Sequence, residues 1–195
     1  MAATAATSKK ILRRIGDEAV KTYRTGREVL EKPVGFKYIA EEMLSSKVLI
    51  GGEESGGVGF GHHIPERDAL FTALLLLEAI VAEGKPLGER IDNLYARFGE
   101  SHFERIELSL KDMQVRRSLE TFLKNKTPSS IGNKLVLEVV STDGIKLILD
   151  RFHWLMFRFS GTEPLLRIYC EAPSEKLAMS TLYYAKNLLE ENGFK

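Results

Sequence analysis

The sequence predicts a mixed α/β unit followed by an α+β unit, joined near Gly99. Three observations carry this. Between Val48 and Ala82 a short apolar strand, a glycine-rich stretch and a long apolar helix succeed one another, the pattern of an α/β layer. Beyond Gly99 the order becomes strand, helix, strands, helix, which places helices on one face of an antiparallel sheet. Two turn signals, Ser141-Thr142-Asp143-Gly144 and Ser160-Gly161-Thr162-Glu163-Pro164, divide the strands of that second unit.

Taken in order, Ser8 to Tyr23 reads as a weakly patterned helix, and the segment 1–30 receives no firmer assignment. Pro33-Val34-Gly35 breaks the chain, and Phe36 to Leu44 resumes a short helix with Phe36, Ile39, Ala40 and Met43 on one face. Val48-Leu49-Ile50 is a short strand. Gly51 to Gly61 holds six glycines in eleven residues and reads as a loop. Asp68 caps the helix that follows, and Gly84-Lys85-Pro86 stops it. That helix is apolar nearly all round, so burial on more than one side is expected.

In the second unit Phe103 to Leu110 is a strand, and Leu119, Phe122 and Leu123 mark a helix. Leu135 to Val140 and Ile145 to Leu149 flank the Asp143-Gly144 turn. Trp154 to Phe159 and Leu165 to Glu171 are two further strands. Cys170 alternates with Leu166 and Ile168, which makes it a core residue. Ser174 caps a last helix that puts Leu177, Thr181, Leu182, Ala185, Leu188 and Leu189 on one face, and Gly193 ends it.

Composition narrows the function. The 195 residues are 44% hydrophobic and 28% charged, a globular composition rather than a disordered one. A net charge of +1 from 28 basic and 27 acidic side chains argues against a nucleic-acid or membrane-surface binder. The apolar run Ala69–Ala82 is too short to span a bilayer and contains Glu78. A single cysteine allows no internal disulfide, which fits a cytoplasmic setting. Met1 to Ser8 lacks the apolar core of a secretory signal.

The most chemically pointed segment is Arg158-Phe159-Ser160-Gly161-Thr162-Glu163-Pro164-Leu165-Leu166-Arg167. A glycine turn between strands exposes backbone N–H groups. Ser160 and Thr162 add hydroxyls, and Arg158 and Arg167 flank the turn with guanidiniums suited to phosphate oxygens. An ordinary polar hairpin is the alternative reading of the same residues.

A second segment, Gly51-Gly52-Glu53-Glu54-Ser55-Gly56-Gly57, places a carboxylate and a hydroxyl two residues apart. In an extended loop both would share a face and reach sugar hydroxyls. A flexible surface loop is the plainer alternative. Nearby, Lys37 and Arg67 either reach ligand oxygens or are solvated surface cations. His62-His63, with no third ligand close in sequence, reads as ordinary loop rather than metal site.

The ten-residue turn segment resembles the phosphate-binding loop of the C-terminal domain of α-D-phosphohexomutases, a family that includes phosphoglucomutases and phosphomannomutases. Asp143-Gly144-Ile145-Lys146 and Trp154 fit the same family. Gly51 to Gly57 resembles the sugar-recognition loop of its third domain, as do Val34-Gly35-Phe36-Lys37-Tyr38-Ile39 and Ile64-Pro65-Glu66-Arg67-Asp68. The resemblance implies a partial three-layer α/β/α domain over 31–99 and a TATA-binding-protein-like α+β domain over 100–195. It implies phosphate contacts for Arg158, Ser160, Gly161, Thr162 and Arg167. For the sugar it implies contacts from Glu53 and Ser55, with Lys37 and Arg67 beside them. The ligand implied is a hexose phosphate, with glucose and mannose undivided.

Family catalysis relays a phosphoryl group through a phosphoserine in a Thr-Ala-Ser-His-Asn type loop, with magnesium held in an Asp-Gly-Asp-x-Asp-Arg type loop. Neither pattern occurs in these 195 residues. No catalytic residue and no metal ligand is therefore assigned, and magnesium is expected only in a complete family enzyme. Three functions follow from the resemblance. The chain is a mutase portion completed by an N-terminal mutase chain or by self-association, a stand-alone phosphosugar-binding module, or an inactive remnant.

Overall fold

The computed structural model describes residues 2–4 and 29–194. The helix expected over Ser8 to Tyr23 lies outside them. No helix among the described residues is long and apolar enough to cross a membrane. The chain divides into two compact units, 1–99 and 100–195.

In the first unit, strands β1 (Ala2–Thr4), β2 (Leu30–Lys32), β3 (Ile50–Gly52) and β4 (Val58–Phe60) form one sheet in the order β2-β1-β3-β4. β1 runs parallel to β2 and β3, and β3 and β4 form an antiparallel hairpin. Helix α1 (Phe36–Ser45) buries Phe36 and Ile39 with Val48, and Ala40 and Met43 pack against them, as its spacing predicts.

The glycine stretch differs from expectation. It is not all loop, because Gly51, Gly52 and Gly59 build the two strands of the hairpin. The strand expected at Val48 starts at Ile50 instead. Close approach explains the glycines. A Cβ on Gly59 would fall 2.7 Å from Phe36 Cζ and 2.9 Å from the Glu66 carbonyl oxygen, so the hairpin lies flush against α1 only without one.

Helix α2 (Ala69–Glu83) has the predicted ends. Asp68 Oδ1 accepts from Phe71 N at 2.9 Å, and Gly84 closes the helix in the left-handed conformation at φ 62°. Its expected burial is not observed: no residue of α2 is buried. Leu70 is 82% exposed, Leu74 64%, Leu77 58% and Val81 80%. The next helix, α3 (Leu87–Phe98), has no counterpart in the sequence reading. It adds exposed Leu87, Ile91, Leu94 and Tyr95 at helical spacing. The physical reason is a shortage of apolar partners among the described residues. Among the described residues this unit's buried cluster is Phe36, Ile39 and Val48.

The second unit is a five-stranded antiparallel sheet of β5 (His102–Ser109), β8 (Glu138–Val140), β9 (Ile145–Asp150), β10 (His153–Phe159) and β11 (Leu165–Ala172), in the order β5-β11-β10-β9-β8. The strand expected over Leu135 to Val140 is interrupted. Lys134–Leu135 (β7) pairs with Ser130–Ile131 (β6) in a small ribbon of its own.

Helices α4 (Met113–Asn125) and α5 (Glu175–Glu191) cover one face of the large sheet. Their caps are sequence-encoded: Asp112 Oδ1 accepts from Gln114 N and Val115 N, and Ser174 Oγ accepts from Leu177 N. Leu119, Leu123, Leu182, Ala185 and Leu189 meet Leu147, Leu155, Phe157, Leu166, Ile168 and Cys170 in one core. The opposite face is also lined with buried groups. Trp154 Nε1 donates to Glu171 Oε2 at 2.7 Å, Ser101 donates to the same carboxylate, and the Lys146 ammonium sits 4.0 Å from the Trp154 ring centre.

Candidate functional site

The β10–β11 turn collects all five residues predicted to hold phosphate. Residues alternate across a strand, so Phe157 and Phe159 point to the helices while Arg158 points to the other face. The ladder register sets Arg158 directly opposite Arg167. Two like charges so placed repel, and each has a carboxylate beside it. Arg158 Nε donates to Asp143 Oδ2 at 3.0 Å, and Arg167 Nε donates to Glu107 Oε1 at 3.1 Å. Burial works against the charged Arg158 guanidinium. The Asp143 carboxylate and the Tyr169 hydroxyl outweigh it, so its pKa is raised.

Asp143 reaches Arg158 because of the turn it sits in. Gly144 has φ +85° and packs so closely on β10 that a Cβ would overlap the Phe157 carbonyl oxygen. Only glycine fits there, and that close approach brings Asp143 alongside Arg158. The predicted Asp-Gly turn is thus also a positioning device for the arginine.

Within the turn, Ser160 N donates to Leu165 O at 2.9 Å, and Ser160 Oγ accepts from Glu163 N at 3.3 Å. The Ser160 hydroxyl proton is left to donate elsewhere. Gly161 and Thr162 are exposed, and neither N–H has an acceptor among the described residues. Two guanidiniums, two hydroxyls and two backbone N–H groups around a single turn are donors of the kind that suits an anion.

Sequence reasoning missed Arg116 and Glu107. Arg116, on α4, donates from Nε to the Ser160 carbonyl at 2.9 Å, and its guanidinium lies over the Phe159 ring. The i,i+4 pair Arg116–Glu120 was visible in sequence, but contact across 44 residues was not. Glu107 could be found only from the β5–β11 register.

In the first unit, Glu53 and Arg67 come together. Arg67 Nη1 donates to Glu53 Oε2 at 3.2 Å, and the Arg67 guanidinium lies 5.4 Å from the centre of the Phe36 ring. Burial raises the Glu53 pKa, and Arg67 opposes that shift.

The loop is not extended as the shared-face argument required. Glu53 N donates to Gly57 O at 2.9 Å and Gly56 N to Glu53 O at 3.1 Å, which folds 53–57 into a tight turn with Ser55 exposed at its tip. Lys37 is exposed on the first turn of α1, with its ammonium 4.7 Å from the Tyr38 ring centre. His63 Nε2 bonds Asp68 Oδ2 at 2.8 Å, and its ring stacks on Phe71. Among the described residues no group of three or more His, Cys, Asp or Glu side chains could hold a metal ion.

Comparison with known proteins places this geometry. The family description "Phosphoglucomutase/phosphomannomutase, alpha/beta/alpha domain III" matches residues 7–98, and "Phosphoglucomutase/phosphomannomutase, C-terminal domain" matches residues 110–182. A phosphoglucomutase/phosphomannomutase of Thermococcus kodakarensis is 32% identical over 168 residues, which is 86% of this chain and 34% of the relative. A phosphoglucosamine mutase of Carboxydothermus hydrogenoformans is 34% identical over 154 residues, covering 79% of this chain and 30% of its own. The crystal structure of a putative phosphomannomutase from Thermus thermophilus superposes with a TM-score of 0.73 at 34% identity, over 97% of this chain and 36% of that one. The chain thus spans about a third of the length of the relatives it matches. With both domain descriptions met in order along one chain, it belongs to the phosphoglucomutase/phosphomannomutase family of α-D-phosphohexomutases, as the C-terminal part of such an enzyme.

Proposed function

We propose that the β10–β11 turn of the second unit binds the phosphate of a hexose phosphate, and that Glu53, Ser55, Lys37 and Arg67 of the first unit are sugar-contacting residues. The observation that carries the reading is the pairing of Arg158 with Arg167 across the ladder, beside the Ser160, Gly161 and Thr162 donors. A phosphate dianion placed there meets two fixed positive charges and replaces their mutual repulsion with attraction.

The chain works, in this proposal, with an N-terminal mutase portion that supplies the phosphoserine and magnesium loops, neither of which is written in these 195 residues. The exposed leucines of α2 support a completed assembly over a stand-alone module, because an apolar stripe of this kind is the mark of an interface. Cytoplasmic placement fits the lone buried cysteine.

Calorimetric titration with glucose 6-phosphate tests the phosphate site. The wild type binds, and Arg158→Ala binds roughly ten- to a hundredfold more weakly, the worth of one charge-assisted contact. Equal binding by both proteins overturns the site. The pure 195-residue chain does not convert glucose 1-phosphate to glucose 6-phosphate, and conversion by it overturns the need for that N-terminal portion.

A further inference from the structure

The geometry points to Arg116 as the residue that aims the phosphate turn, an inference that rests on the phosphate-binding reading above. Arg116 lies on α4, on the helix-covered side of the sheet, and its side chain is mostly buried. Nε donates to the Ser160 carbonyl oxygen at 2.9 Å. Nη1 donates to Glu120 Oε2 at 3.1 Å, and Lys124 Nζ holds the other oxygen of that carboxylate at 2.8 Å. These contacts keep Glu120 ionised, with its pKa lowered first by Lys124. The planar guanidinium also packs over the Phe159 ring, with 5.4 Å between the guanidinium carbon and the ring centre. Arg116 is therefore fixed on three sides before any ligand arrives.

The consequence follows from the peptide unit. In a trans peptide the carbonyl of one residue and the N–H of the next point in opposite directions. Holding the Ser160 carbonyl toward α4 turns the Gly161 N–H to the other side of the sheet. That is the side on which Arg158 and Arg167 face each other, since Phe159 takes the helix side and the strand alternates. The Ser160 N–H is already committed to Leu165 O, so Gly161 supplies the first free backbone donor of the turn and Arg116 fixes its direction. A Cβ added at Gly161 would meet nothing within 4 Å. Losing Arg116 removes the hydrogen bond that fixes the Ser160 carbonyl. Arg116 is a positioning residue that touches no ligand.

The test uses the full chain, 15N-labelled and titrated with inorganic phosphate and with glucose 6-phosphate. In the wild type the Gly161 and Thr162 amide resonances move on titration. Arg116→Met keeps the aliphatic stem over Phe159 and removes the donors. Its affinity falls about tenfold, the worth of one lost orienting hydrogen bond. The Gly161 shift disappears, while resonances of the core strands stay in place. Arg116→Lys keeps a charge without the fork, so it binds with intermediate affinity and shows a reduced Gly161 shift. It decides the question alone if Arg116→Met fails to fold. Wild-type affinity with an unchanged Gly161 shift in either folded variant overturns the role of Arg116 and leaves the phosphate site standing. A wild type whose 158–167 amides do not respond to either probe overturns both.

Discussion

Arg158 and Arg167 face each other directly across the β10–β11 ladder, and each guanidinium is held by a carboxylate from a different part of the chain, Asp143 and Glu107. Like charges opposite one another on a sheet cost stability, on the order of the 0.2–1 kcal/mol that such pairs carry. An anion between them relieves that cost. Sulfate or phosphate should raise the melting temperature of the wild type relative to chloride at matched ionic strength. The increment should vanish in Arg158→Ala. An equal increment in both proteins would mean that the anion acts elsewhere.

Gly144→Ala should be the most damaging single methyl in the second unit. Its φ of +85° is costly for any L side chain, by about 1–3 kcal/mol. The new Cβ would also overlap the Phe157 carbonyl oxygen, so the Asp143 turn must move off β10. Urea unfolding should show that loss of stability, and phosphate affinity should fall with it because Asp143 no longer orients Arg158. Wild-type stability in this variant would refute the close approach.

His153 should make the second unit acid-sensitive. It is buried at the start of β10 and bonds Thr181 Oγ1 through Nε2 at 3.0 Å. Thr181 gives its own proton to Leu177 O at 2.8 Å, so Nε2 carries the imidazole proton. Nδ1 is then a bare acceptor without a partner. Protonation would bury an unpaired N–H and a charge. Burial accordingly lowers the pKa below the ordinary 6.5, with Asp150 opposing and Lys134 assisting. The unfolded chain takes up the proton first as pH falls. Stability is therefore fully present above about pH 6.5 and declines as pH drops through the folded-state pKa. Urea midpoints at pH 7.5 and 5.5 should differ in the wild type and converge in His153→Gln, apart from carboxylate effects common to both.

The Cys170 thiol should be inert. It is fully buried in the helix-covered core, and desolvation pushes its pKa up to about 12. Iodoacetamide at pH 8 should leave the native chain unlabelled and modify it stoichiometrically in denaturant. Rapid native labelling would show that β11 opens far more readily than its packing implies.

The two units should differ in protection. Residues 100–195 share one extended core of strands and helices, whereas the first unit's buried cluster, among the described residues, is Phe36, Ile39 and Val48. Hydrogen exchange of the chain alone should be slow for β9, β10 and β11 and fast over residues 30–60. A partner that covers the α2 leucines should slow the first unit selectively. Uniform protection of a monomer would contradict the small core.

The sequence by itself determined the helix caps at Asp68 and Ser174, the Asp143-Gly144 turn and the Arg158 to Arg167 segment. Each is a local signal: a short side chain reaching a nearby N–H, a glycine where φ is positive, a spacing on one strand. It did not determine that the glycine run is a hairpin pressed on Phe36, because that depends on which helix lies beneath it. Nor did it place α2. An all-round apolar helix is buried only if enough apolar surface surrounds it, and the number of neighbours is a property of the assembled unit. The arginine site divides the same way. The flanking arginines were legible, but Asp143 and Glu107 reach them across 15 and 60 residues, and Arg116 reaches the Ser160 carbonyl across 44. Strand register and helix docking alone set those contacts, and no periodicity in the chain encodes them.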